Sequence, residues 1–175
     1  MQATPFLKPV APAPLAIRLT GRMVDWVVIL IGAVMATMVF FNVCLHLFHR
    51  DLAWVTEFGE LLMVWVTFLG GACAAQRGAH MTITEFIDKL TPPKRRWADA
   101  AVQAACLVML AVLVHYGWSL VNANWGNQLT VLQWPMAFQY MGMAVGCMLM
   151  AFFVAWDLWQ TLRGVPRETR YPPSE

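Results

Sequence analysis

Charged side chains are scarce in this sequence: Asp, Glu, Lys and Arg make up only 13% of its 175 residues, about half the share usual in soluble domains. Hydrophobic residues make up 59%, and the mean hydropathy is +0.56. A soluble globule of this size needs more polar surface than these residues can supply. The composition therefore excludes an ordinary soluble domain and indicates an integral membrane protein.

Paired cysteines and metal-ligand spacings are also missing. The cysteines fall one in each long apolar run, at Cys44, Cys73, Cys106 and Cys147. None has the spacing of a zinc site or of a C-x-x-C-H haem attachment motif, so we predict no disulfide, no metal site and no cofactor. We expect the thiols to pack as small apolar groups. No catalytic residues are indicated either, and we expect no enzymatic activity.

Four long apolar runs cover residues 23–48, 52–76, 97–122 and 135–160. Each exceeds the roughly 20 residues that an α-helix needs to cross about 30 Å of hydrocarbon. The runs are continuous rather than alternating, which excludes a transmembrane β-barrel. The first run is too long for the apolar part of a signal peptide, so we expect it to remain as an anchor. The prediction is an all-α integral membrane protein with four transmembrane helices.

Basic residues predict the orientation, because cytoplasmic loops near span ends are enriched in Lys and Arg. Arg50 stands alone on one side, and the other eleven of the 12 basic residues lie on the opposite side: Lys8, Arg18, Arg22, Arg77, Lys89, Lys94, Arg95, Arg96, Arg163, Arg167 and Arg170. We therefore predict a multi-pass membrane protein with both termini in the cytoplasm. The topology accounts for the net charge of +2, and nothing else in the sequence supports nucleic-acid binding.

Three further segments complete the predicted organisation. Residues 1–22 and 161–175 are predicted as cytoplasmic tails, the first flexible and rich in proline, on either side of a membrane domain over 23–160. Between the second and third spans, apolar residues recur at helical spacing, at Ile83, Phe86, Ile87 and Leu90. This pattern predicts a short amphipathic helix along the cytoplasmic interface, and an irregular polar loop is the alternative.

Two carboxylates, Glu57 and Glu60, lie in the first turns of the second span. Burying an ionised carboxylate in hydrocarbon costs at least about 2.5 kcal/mol, so such residues usually face protein or water. At helical spacing they continue into a stripe of polar and small residues, which comprises Glu57, Glu60, Val64, Thr67, Gly71 and Ala75. A polar stripe of this kind suits a partner protein better than lipid, and we predict that it is an interface.

Small residues four positions apart predict where helices approach closely, because backbones can touch there. Such pairs occur in three of the four spans: Gly70 with Ala74, Gly71 with Ala75, Ala101 with Ala105, and Gly142 with Gly146. We expect them to mark contacts within the bundle or with another protein.

The second span carries the most specific pattern. Trp54, Glu57 and Trp65 are followed by the run FLGGACA at residues 68–74 and then by Arg77, Gly78 and His80. This order resembles the small membrane subunit of TRAP transporters, the tripartite ATP-independent periplasmic transporters, in the DctQ-like family. Glu60 departs from the family pattern, in which arginine or another polar residue is common there, and the second glycine of the run stands where alanine is common.

The resemblance implies a scaffold rather than a carrier. A small subunit of this family binds a larger membrane subunit, which holds the substrate and sodium sites, and a periplasmic substrate-binding protein delivers an organic acid, often a carboxylate. The spans contain no internal proline and no internal repeat of the kind that marks a transport core. On this interpretation Arg50 is near enough to pair with one glutamate, and Glu57 bonds to the large subunit. The alternatives are that both glutamates reach water, or that one binds a coupling ion.

Two other classes of protein stay open at this point. His46 and His115 fall toward the same side of the membrane, as in a haem-containing respiratory membrane anchor. A small proton-coupled multidrug carrier would use a membrane glutamate as its proton site. For Arg77 and His80 we predict a structural role as cytoplasmic anchors of the turn after the second span, or contact with lipid headgroups.

Overall fold

The computed structural model describes residues 15–50, 52–78 and 92–165. They form four long helices: α1 Leu15–Leu47, α2 Ala53–Gln76, α3 Pro92–Ala123 and α4 Ala137–Leu162. All four are long and apolar enough to cross a membrane, which confirms the predicted bundle. The proposed interfacial helix, His80 and most of both tails lie outside the described residues.

Two helices begin earlier than the hydropathy pattern predicts. α1 begins at Leu15, so part of the segment predicted as a flexible tail is helical. Ile17 and Val24 are buried in a core shared with α2 and α4, and these tertiary contacts favour the extra turns. α3 begins at Pro92. Proline is tolerated in the first turn because the amide it lacks has no intrahelical partner there.

The helices pack in the order α1, α2, α4, α3. α4 packs against α2 and α3, and α1 packs against α2. The two inner helices are the most buried, whereas the most apolar stretch of α1 has no fully buried side chain. Large apolar groups such as Phe40 on α1 and Met109 on α3 stay exposed, as expected of surfaces in contact with hydrocarbon or with another membrane protein.

The contact between α2 and α4 depends on two glycines. A Cβ atom at Gly146 would lie 2.4 Å from the Cβ of Phe68 and 2.8 Å from its backbone carbon. A Cβ at Gly142 would lie 3.1 Å from the Trp65 ring, whose indole N–H donates to the Phe138 carbonyl at 3.0 Å. The prediction that this glycine pair marks a close helix contact is confirmed.

On α3 the small-residue pair does not mark the close contact within the described bundle, and its contact with another protein stays a prediction. Ala101 and Ala105 are both exposed. The close contact of α3 with α4 lies nearer its other end, where a Cβ at Gly117 would be 3.4 Å from the Cβ of Ala144. Small residues permit close approach but do not select the face that packs, which here is set by the buried side chains Gln103 and Val121.

Candidate functional site

The α3–α4 loop, residues 124–136, makes a short hairpin beside the first turns of α2. The Leu129 amide donates to the Trp134 carbonyl at 2.8 Å, and the Met136 amide donates to the Asn127 carbonyl at 2.8 Å. At the tip the Gln133 amide donates to the Leu129 carbonyl at 3.2 Å. Gln133 has a φ of 56°, in the left-handed region, which completes the turn. We refer to the side of the bundle that holds this hairpin as the loop end.

Glu57 binds the tip of the hairpin. The Val131 amide donates to both carboxylate oxygens at 3.0 Å, and the Leu132 amide donates to Oε2 at 2.9 Å. Consecutive amides directed at one anion resemble the free amides of a helix N-terminus. Hydrogen bonds of this charge-assisted kind are stronger than those between neutral groups. The carboxylate therefore has strong partners within its own chain.

These bonds correct the premise of the sequence-based interpretation. We expected Arg50 to be the nearby partner for one glutamate and the large subunit to supply a partner for Glu57. Within the described ranges, no ion pair joins Arg50 to either glutamate. The hairpin amides, which no residue pattern reveals, provide partners for Glu57 within its own chain, and the bond to the large subunit stays a prediction.

Aromatic rings connect the loop to the two inner helices. Ring centroids are 6.4 Å apart for Trp54 and Phe58, 6.1 Å for Phe58 and Trp134, and 6.3 Å for Trp134 and Phe138. Trp125 continues the series, 5.8 Å from Phe138. Such offset and edge-on pairs stabilise packing beyond the area they bury. The loop end is therefore an ordered layer rather than a free connection.

Glu60, one turn further along α2, has a different environment. Its side chain is exposed, and no hydrogen bond or ion pair links it to the described residues. Neighbours at helical spacing are also open: Thr56, Met63 and Thr67 are exposed, and nothing lies within 4 Å of a Cβ built on Gly70. We call the surface formed by Thr56, Glu60, Met63, Thr67 and Gly70 the open face of α2.

The predicted stripe is thus divided between two environments. Glu60 and Thr67 lie on the open face, whereas Val64 is half-buried. A Cβ at Gly71 would lie 3.1 Å from the Met150 Cε on α4, and Ala75 is only 6% exposed within the core. α4 packs against this side of α2, so the stripe is narrower than predicted and Ala75 is not accessible to another protein.

At the opposite end of the bundle, Arg77 connects α2 to α1. Its guanidinium lies 2.8 Å from the Asp25 carboxylate, with side-chain exposures of 67% and 30%. Gly78, next in the chain, has a φ of 68°, a conformation that favours glycine after a helix. Its amide donates to the Ala75 carbonyl at 3.1 Å. In the predicted motif Arg77 thus forms an ion pair with Asp25 and Gly78 ends the helix, while His80 lies outside the described residues.

The sequence analysis overlooked a buried polar cluster between α3 and α4. The Gln103 side-chain amide donates to Asp157 Oδ2 at 2.9 Å and to Thr161 Oγ1 at 3.1 Å. All three side chains are less than a tenth exposed. A signal was available, since Asp157 is a single acid within the apolar run FVAWDLW, and acids inside membrane helices rarely face lipid.

Two arginine side chains make contacts at the C-terminal end of α4. A guanidinium N–H of Arg96, at the start of α3, donates to the Leu162 carbonyl. The Arg163 guanidinium stacks over the Trp159 ring, 3.5 Å from its centroid. Cations at a helix C-terminus interact favourably with its unpaired carbonyl groups. The Arg96 bond joins α3 to α4 at the end away from the loop, whereas the Arg163 contact lies within the end of α4 itself.

The haem alternative concerns the histidines and other possible metal ligands. Among the described residues, no three His, Cys, Asp or Glu side chains are grouped as metal ligands would be. The His115 ring packs edge-on to Tyr116 with centroids 5.5 Å apart. What the chain presents is a multi-pass helical membrane protein with an ordered loop end and one open, partly polar helix face.

Comparison with known proteins then identifies the family. The profile of the DctQ component of tripartite ATP-independent periplasmic transporters matches residues 35–164. The chain belongs to this family, and it is accordingly a small permease component of a transporter.

Relatives with assigned names agree with this family. A TRAP transporter small permease protein of Haemophilus influenzae, itself named as putative, is 22% identical over 74% of this chain and 81% of its own. The sialic acid TRAP transporter small permease SiaQ of Vibrio cholerae is 27% identical over 57% of each chain. The C4-dicarboxylate small permease DctQ of Rhodobacter capsulatus is 28% identical over 58% of this chain and 46% of its own. The family assignment does not favour a haem-containing anchor or a multidrug carrier.

Proposed function

We propose that this chain scaffolds the large membrane subunit of a TRAP transporter during sodium-coupled uptake of an organic acid, which a periplasmic binding protein delivers. The family match over residues 35–164 carries the proposal, since it covers three helices whole and residues 35–47 of α1. Two named relatives serve the uptake of acids, sialic acid and C4-dicarboxylates. A carboxylate is the corresponding substrate class here.

The scaffold role implies that this chain performs no transport and no catalysis by itself. Each of the four helices is continuous over its described range, without the breaks that form ion and substrate sites in transport cores. The strongest polar contacts of the described residues join elements of the chain to one another, as with Glu57 and the hairpin. Coupling chemistry then belongs to the large subunit.

We place the contact with the large subunit on the side of α2 that carries the predicted stripe. Glu60 and Thr67 are its exposed members. The other residues of the stripe support these two, because their contacts hold α2 against the loop and the neighbouring helices. They are Glu57, Val64, Gly71 and Ala75. The apolar surfaces of α1 and α3 face the lipid bilayer.

The proposed orientation puts both termini in the cytoplasm of an inner membrane and the loop end in the periplasm. Arg77 and His80 would then anchor the cytoplasmic turn, with Arg77 acting through Asp25. A cysteine in place of the exposed Asn127 should react with an impermeant thiol reagent added outside, whereas one in place of Arg167 should react only after permeabilisation. The opposite labelling pattern would reverse the assignment.

Purification tests the scaffold role. A tagged chain, expressed in the cells that make it and purified in mild detergent, should co-purify with a large multispan membrane protein. In liposomes, uptake of an organic acid should need that protein, the binding protein, a sodium gradient and this chain together. Transport by this chain alone, or a purified protein with a haem spectrum, would refute the proposal.

A further inference from the structure

We propose that the open face of α2 binds a transmembrane helix of the large subunit, and that this helix presents a lysine or arginine to Glu60. The inference rests on the proposed function, because it assumes that a large membrane subunit is present. It specifies where that subunit binds and which charge it brings.

The unmatched charge of Glu60 is the first argument. Glu60 lies seven residues into α2, which begins at Ala53, or roughly 10 Å along the helix axis at 1.5 Å per residue. Its neighbour Glu57 is matched by two backbone amides, but no described residue bonds to Glu60. An exposed carboxylate within a membrane-spanning helix is costly where it faces lipid. A cationic side chain from another protein would remove that cost.

The shape of the surface around Glu60 is the second argument. Gly70 has nothing within 4 Å of its Cβ position, so a neighbouring backbone can approach there. The Thr67 hydroxyl donates to the Met63 carbonyl of its own helix at 2.7 Å, so it presents no unmet donor to a partner. Met63 is 62% exposed and adaptable in shape. Together these residues form a shallow surface suited to another helix.

The inner position of α2 in the bundle is the third argument. Its two flanks are covered by α1 and α4, yet the open face carries a charge and two threonines, and Met63 is its one large apolar side chain. A helix facing only lipid would expose apolar side chains there, as α1 does with Phe40 and Phe41. Charge complementarity therefore selects a basic membrane helix as the occupant.

Photocrosslinking locates the occupant. A photoreactive amino acid at Met63, on the open face, should crosslink to the large subunit in intact membranes. The matched control is the same amino acid at Met109, which is 69% exposed but lies on α3, and it should give lipid adducts only. Mass spectrometry of the Met63 product should find a Lys or Arg in the crosslinked helix.

Charge substitutions test the ionic contact. Glu60→Lys should weaken the complex by at least about tenfold, because it places like charges together. Glu60→Asp, which keeps the charge, should retain most of the complex, and replacing the crosslinked basic residue by Glu should rescue Glu60→Lys. The thermal stability of the isolated chain should be the same for all Glu60 variants, which separates binding from folding.

Failure of this inference and failure of the proposed function would give different experimental results. If the large subunit co-purifies normally with Glu60→Lys and crosslinks from Met109 instead of Met63, the open face faces lipid or water and the inference is wrong, while the scaffold function stands. If no large membrane protein co-purifies even with the unmodified chain, the proposed function itself fails.

Discussion

The backbone amide of Val131 lies 3.0 Å from both carboxylate oxygens of Glu57, across 74 positions of sequence. The contact ties the α3–α4 hairpin to the start of α2 and matches a charge in a spanning helix without a basic side chain. One turn further along the helix, Glu60 lacks any such bond to the described residues. The two glutamates thus offer a matched pair for experiment, one bonded within the chain and one open.

Substitution of Glu57 by Gln should destabilise the isolated chain. The change removes the negative charge and directs an NH₂ group at amide donors. We expect a loss of about 1.5 to 2 kcal/mol, the lower part of the range for charged hydrogen bonds, because Glu57 is only half-buried. Thermal unfolding in detergent, followed by tryptophan fluorescence, measures it. Glu60→Gln is the control and should leave stability unchanged. Equal effects of the two substitutions would mean that the hairpin bonds contribute nothing.

Substitution of Gly146 by Ala should separate α2 from α4. The new Cβ would lie 2.4 Å from the Phe68 Cβ and 2.8 Å from its backbone carbon, so one helix must shift. Overpacking of this kind costs about 1 to 3 kcal/mol, measurable as a lower unfolding midpoint. Gly70→Ala adds the same methyl group to open space and should slightly stabilise the helix. The contact assignment would be wrong if both alanines were tolerated equally.

Substitution of Gln103 by Leu should weaken the contact of α3 with α4. It removes the donor to Asp157 and Thr161 inside the bundle. We expect a loss of about 1 to 3 kcal/mol, the usual cost of leaving buried polar atoms with fewer partners. The same change at the exposed Gln128 is the control and should have little effect in the unfolding assay. A stable Gln103→Leu protein would show that the cluster adds no net stability.

The ion pair of Arg77 with Asp25 should contribute little stability. Arg77 is 67% exposed, and exposed pairs are typically worth less than about 1 kcal/mol. A double-mutant cycle with Arg77→Gln and Asp25→Asn should therefore give a small coupling energy that decreases in high salt. A coupling above about 2 kcal/mol would place the pair in a less solvated environment than its exposure indicates.

Long-range backbone geometry explains what the sequence could and could not predict. The four spans and the Gly142 and Gly146 contact follow from local composition and spacing, and both are confirmed. The partner of Glu57 depends on two main-chain amides in a hairpin that carries no charged side chain. Backbone amides do not depend on the type of side chain, so the residue types in the hairpin do not reveal that it binds Glu57.

The sequence also did not reveal which face of each helix packs against a neighbouring helix. The stripe from Glu57 to Ala75 follows helical spacing correctly, but spacing alone does not reveal which neighbouring helix covers which side. α4 covers Gly71 through Met150 and leaves Glu60 open. Ala101 and Ala105 are exposed, and their spacing likewise did not reveal which side of α3 packs against α4. The buried contact of Asp157 could have been predicted from the sequence alone, since a single acid in an apolar run already indicates a buried polar contact.

The bond between Glu57 and Val131 also sets an order of events during biosynthesis. A ribosome adding about 5 to 20 residues per second needs roughly 4 to 15 s to make the 74 intervening positions. Throughout that interval α2 has emerged with an unmatched carboxylate, and its helix partner α4 has not yet been synthesised. The nascent chain must therefore hold α2 near water or beside the insertion machinery until the hairpin arrives. Synthesis of the hairpin, before α4 is made, is the step that supplies Glu57 with its amide donors.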